Sequence, residues 1–129
     1  MTTELWLLFA SLPIYALYLG AQSILYRWHH GLWYAQTARD AEGPPSPILG
    51  RAERALRNFF ETWPAFIVLT LIAHLAHQHD QLVFWGAIDW LASRALYLPL
   101  YLSGVFGLRS LVWFIGAIGL YAMFFGILF

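Results

Sequence analysis

The chain has 129 residues, 60% of them hydrophobic and only 11% charged, against about a quarter charged in an average soluble domain. This composition excludes a water-soluble globular domain and indicates a single domain, residues 1–129, whose solvent is lipid. Formal net charge is zero and all seven basic residues are Arg, so no Lys-rich surface exists to steer nucleic acid toward the protein. The absence of Cys excludes disulfides, thiolate nucleophiles and cysteine metal sites, so any thiol chemistry has to come from a ligand.

Crossing about 30 Å of hydrocarbon at 1.5 Å per residue takes roughly 20 apolar residues, and four such stretches are predicted, at about 5–25, 48–77, 82–104 and 108–129. The expected fold is therefore an all-α membrane protein, a bundle of four transmembrane helices. The first stretch is interrupted only by Ser11, Gln22 and Ser23, with Pro13 as a kink site. It has Glu4 and no basic residue ahead of it, nor a small-residue cleavage site after it, so it reads as a retained helix.

A loop is expected from Arg27 to Leu49, closed by the breaker Gly43-Pro44-Pro45-Ser46-Pro47. The second helix then starts near Ile48. Its first turns, Arg51 to Glu61, are charged, so they should protrude from the membrane. Gly104-Val105-Phe106-Gly107 separates the third and fourth helices.

Five arginines, at 27, 39, 51, 54 and 57, lie between the first and second spans, and Arg109 lies in the third-to-fourth connection. The opposite loop, Gln78 to Gln81, has none. By the positive-inside rule the Arg-rich side is cytoplasmic and both termini lie on the far side. Asp89 and Arg94 fall well inside the third span, where lipid exposure costs at least about 2.5 kcal/mol each. Assembly of several copies around polar interfaces would shelter them, so a homo-oligomer is expected.

Three groups of residues could carry chemistry. On the second helix, Arg51, Arg54, Arg57, Asn58 and Glu61 cluster, and at 100° per residue Arg54, Asn58 and Glu61 share an arc of about 60°. On the third, Arg94, Tyr97 and Tyr101 line one face, offering a guanidinium fork and two hydroxyls. At the start of the fourth, Arg109-Ser110 places a guanidinium beside a positive helix end, which favours an anion or thiolate. On spacing alone the same residues also fit a solvated helix end, a snorkelling Arg with interfacial tyrosines, and a membrane anchor. All three groups fall on the cytoplasmic half, where they can form one pocket for a small, multiply charged anion.

His74, His77 and His79 read as interfacial histidines closing a helix rather than a zinc site, since Asp80 is the sole further ligand nearby; no metal is expected. His29-His30 reads as a surface pair. Glycines 104, 107, 116, 119 and 126 read as points of close helix approach.

The pattern Arg54-Ala55-x-x-Asn58-x-x-Glu61-x-x-Pro64, followed by Arg94-x-x-Tyr97-x-x-x-Tyr101 and Arg109-Ser110, resembles the membrane-associated proteins in eicosanoid and glutathione metabolism, the MAPEG family. The likeness runs from about Gly50 to the end, with the compact length of bacterial members. It implies a homotrimer in a bacterial inner membrane that binds glutathione between subunits near the cytoplasmic side. It further implies a transferase or peroxidase acting on a lipophilic electrophile that arrives from the bilayer. In that resemblance Arg54, Asn58 and Glu61 hold the peptide, Glu61 taking the γ-glutamyl ammonium. Arg94, Tyr97 and Tyr101 join from the third helix, Arg51 or Arg57 takes a carboxylate, and Arg27 is a further clamp. Arg109, with Ser110 beside it, stabilises the thiolate. Tyr97 stands where some eukaryotic members have His. The rival readings are a non-catalytic accessory or scaffold subunit that keeps the fold, and a small transporter or lipid-binding protein.

Overall fold

A computed structural model describes all of residues 1–129 and contains four long helices: α1 Thr3–His30, α2 Pro47–Leu75, α3 Gln81–Ser103 and α4 Leu108–Leu128. A single 3-10 turn, Tyr34–Gln36, lies in the connection between α1 and α2. α1 continues through Arg27 to His30, beyond the predicted end near Leu25, because no breaker intervenes before Gly31, which takes φ 94°. Arg27 is thus a helical residue rather than the first residue of a loop.

The remaining boundaries have local causes. Ser46 caps α2 by accepting a hydrogen bond from the Leu49 amide at 3.3 Å, with Pro47 as the first helical residue. Asp80 caps α3 in the same way through the Leu82 amide at 2.6 Å. α3 ends at Gly104, whose φ of 73° is the left-handed conformation that terminates helices.

α1, α2 and α4 are each long and apolar enough to cross a membrane. α3 has the length, 23 residues, but carries Asp89, Ser93 and Arg94 mid-helix and is not among them. Ser93 and Arg94 are buried within the single chain, beside Trp90 and Tyr97, so Arg94 needs no neighbouring copy for shelter, whereas Asp89 is only half-buried. The partner of α3 is α4, which approaches so closely that a methyl group added at Gly119 would lie 2.6 Å from the Gly86 carbonyl oxygen. Gly116 meets Ser93 and Gly126 meets Val83 along the same seam, the small-residue packing expected where lipid supplies no hydrophobic drive. Gly86, Gly119's partner on α3, is the seam residue that sequence reading passed over.

Aromatic rings fill the space between α1, α2 and α3. Phe66 stacks on Trp90 with centroids 4.2 Å apart, and Tyr18 packs on Phe59 at 4.8 Å. Only 26 of 129 residues are buried, so the chain leaves most of its apolar side chains, Leu17, Val68, Phe114 and Ile118 among them, for surroundings other than water. The protein is an integral membrane protein.

Candidate functional site

The three helix ends on the Arg-rich side enclose a cavity of about 370 Å³, within the range of small-molecule sites. α2 contributes Arg51 and Arg54, one turn apart. α3 contributes Tyr101 from its last turn, and α4 contributes Arg109 and Ser110 from its first. The turn Gly104-Val105-Phe106-Gly107 forms the rim. Gly104 is favoured there by its left-handed backbone, φ 73°, and the Arg51 guanidinium lies against it.

Tyr101 organises the cations. The Arg54 Nε donates to its hydroxyl at 3.1 Å, and the Arg109 guanidinium carbon lies 4.5 Å from its ring centroid. Arg51 donates to the Leu102 carbonyl at 3.2 Å. These partners orient three guanidiniums without neutralising them. No carboxylate lines the cavity, and the ion-pair contacts of the chain are His30–Glu42 and His79–Glu4, so none of the seven arginines has an acidic partner within 4 Å. The amino end of α4 adds further positive potential beside Ser110.

Behind Tyr101 the site continues into the bundle. Tyr97 lies edge-on to Tyr101 at 5.5 Å, and the Arg94 guanidinium carbon lies 5.0 Å from the Tyr97 ring centroid. Arg94 is 1% exposed. Its Nη1 donates to the Asn58 side-chain oxygen at 3.0 Å, while the Asn58 amide nitrogen donates to Glu61 at 3.2 Å. Asn58 therefore stands between the buried cation and the exposed carboxylate. A charge at that depth, held by neutral partners, is expensive to maintain.

The MAPEG family model matches residues 4–129, nearly the whole chain. The chain belongs to the MAPEG family. No curated protein and no solved structure matches it.

Of the residues singled out from this MAPEG sequence, Arg51, Arg54, Tyr101, Arg109 and Ser110 meet in the cavity, and Asn58, Glu61, Arg94 and Tyr97 form the network behind it. Two lie elsewhere in the chain. Arg57 borders a separate depression with Gln22 and Glu53 on the flank of α1 and α2, and Arg27 donates to the Ser23 carbonyl of its own helix at 3.0 Å. The histidines at the opposite end hold the start of α1: Thr2, just ahead of it, bonds His74 in the last turn of α2 at 3.0 Å, and Glu4 bonds His79 of the α2–α3 connection at 2.8 Å.

Sequence reading missed two contributors in this MAPEG chain. Gly104 is not a point of helix approach but the left-handed end of α3 at the cavity rim, a backbone angle that no spacing reveals. Tyr18, from the middle of α1, donates its hydroxyl to the Arg94 carbonyl at 2.6 Å and is 1% exposed. A tyrosine in the middle of an apolar span is the signal that could have found it, since its hydroxyl must find a partner there.

Proposed function

We propose that the protein is a glutathione-dependent membrane transferase or peroxidase acting on lipophilic electrophiles. Family membership supports glutathione-related chemistry in general. The observation that carries the reading to this site is the convergence of Arg51, Arg54 and Arg109 around Tyr101 with no carboxylate among them. Glutathione fits that need: its two carboxylates answer two guanidiniums and its thiol falls to the third. Its ammonium would go to Glu61, which is exposed and already oriented by Asn58.

In this reading the protein is a homotrimer in a bacterial inner membrane, with both termini on the non-cytoplasmic side and glutathione bound between subunits at the cytoplasmic end. Arg27 and Arg57, outside the cavity of a single subunit, are left to face a neighbouring copy or the headgroups. Arg109, aided by the α4 amino end and with Ser110 beside it, holds the thiolate. Lowering a thiol pKa from about 8.5 by about 2 units corresponds to about 2.7 kcal/mol, within reach of one guanidinium and a helix end. The thiol proton leaves to solvent. The sulfur then attacks the electrophilic carbon, forming a carbon–sulfur bond as the leaving anion departs with its bonding pair.

The test is turnover by purified protein in detergent or lipid, with glutathione and either a hydrophobic aryl halide or a fatty-acid hydroperoxide. Turnover of either above the uncatalysed rate, reduced by Arg54→Ala, is expected. Binding without turnover of a broad electrophile panel would favour the non-catalytic accessory reading instead.

A further inference from the structure

α3 carries its site residues on both sides of a proline: Arg94 and Tyr97 precede Pro99, and Tyr101 follows it. Proline has no amide hydrogen, so the Ala95 carbonyl receives no bond from residue 99, and the proline ring crowds that same turn. The helix is weakest over the turn that separates the buried guanidinium from the cavity tyrosine. Immediately before the unpaired Ala95 carbonyl, Tyr18 of α1, 76 residues away in sequence, donates to the Arg94 carbonyl at 2.6 Å. The Tyr18 ring is fixed by Phe59 of α2 at 4.8 Å, so the hydroxyl is held from two helices at once. Asn58 fixes the tip of the Arg94 side chain and Tyr18 fixes its backbone.

We infer that Tyr18 is a positioning residue for the site: its hydroxyl braces the proline-weakened turn of α3 and so sets the placement of Arg94 and Tyr97 relative to Tyr101. Tyr18 lines no part of the cavity and acts only through α3. This inference rests on the glutathione reading, and it identifies Pro99 as the reason a brace is needed. A plain packing role for Tyr18 would need the ring alone, because Phe fills the same space.

The experiment is glutathione titration by calorimetry on detergent-purified wild type, Tyr18→Phe, Pro99→Ala and the double variant, with helicity and subunit assembly checked for each. The expected result is that Tyr18→Phe weakens binding about tenfold, the scale of one lost buried hydrogen bond, with helicity unchanged. Adding Pro99→Ala, which restores an amide to the turn, should bring affinity back to within about threefold of Pro99→Ala alone. Wild-type binding with an unaffected Tyr18→Phe variant overturns the inference and leaves the glutathione reading standing, as does a double variant that is not rescued. A Tyr18→Phe protein that fails to fold overturns it by showing a global role. Wild type that binds no glutathione overturns both.

Discussion

Arg94 and Asn58 meet across the α2–α3 interface, guanidinium nitrogen to amide oxygen, at 3.0 Å, and the cation is 1% exposed with no carboxylate within ion-pair distance. A buried charge satisfied by a neutral amide is sensitive to the loss of that amide. Asn58→Leu should therefore destabilise the folded protein by about 1–3 kcal/mol, the cost of leaving a buried polar group unpaired. Arg94→Met combined with Asn58→Leu removes both partners and should recover most of the loss. Thermal unfolding followed by circular dichroism in one detergent checks both, and a double variant less stable than the Asn58→Leu single would contradict the assignment.

The α3–α4 seam makes a second prediction. A methyl group at Gly119 would press on the Gly86 carbonyl at 2.6 Å, whereas one at Gly20 of α1 would meet nothing within 4 Å of the same subunit. Gly119→Ala should cost about 1–3 kcal/mol as the helices are forced apart. Gly20→Ala should be neutral or gain up to about 1 kcal/mol from helix propensity. The two unfolding midpoints, measured side by side, separate seam packing from a general intolerance of substitution.

Much of the fold was legible because it follows from periodicity and solvent. Four apolar stretches, a proline-rich breaker and the Gly104–Gly107 turn are local signals, and the helices follow them. The end of α1 was less legible: charge at Arg27 suggested a loop, but a helix can carry charge past the hydrocarbon into the headgroup layer, and only Gly31 stops it. At the site, residues spaced by whole turns on one helix were readable as a face. Contacts between helices were not, which is why Tyr18 went unnoticed and why Arg51 and Arg57, equally cationic in sequence, separate into one that lines the cavity and one that does not.

That separation is measurable. Arg51→Ala removes a guanidinium from the cavity and should weaken glutathione binding about tenfold or more, the scale of a charge-assisted hydrogen bond. Arg57→Ala should change it by less than about threefold. Equal losses in the two variants, read by calorimetric titration, would place the peptide partly against the α1–α2 flank.

Binding should also depend on salt. Three guanidiniums without acidic partners attract an anion partly through long-range field, and that part is screened as the Debye length falls from about 10 Å at 0.1 M to about 3 Å at 1 M. Glutathione affinity should fall steadily between these ionic strengths, less so in Arg109→Ala. A salt-independent affinity would argue that the cavity cations are not the binding groups.

The most direct measurement is ultraviolet difference absorption in the thiolate band when glutathione is added to the purified protein at neutral pH, for wild type, Arg54→Ala and Arg109→Ala. A thiolate signal is expected in wild type, a weaker one at equal glutathione concentration in Arg54→Ala, and none in Arg109→Ala even when glutathione is saturating. Glutathione bound by wild type without a thiolate signal, or a signal that survives Arg109→Ala unchanged, would contradict it.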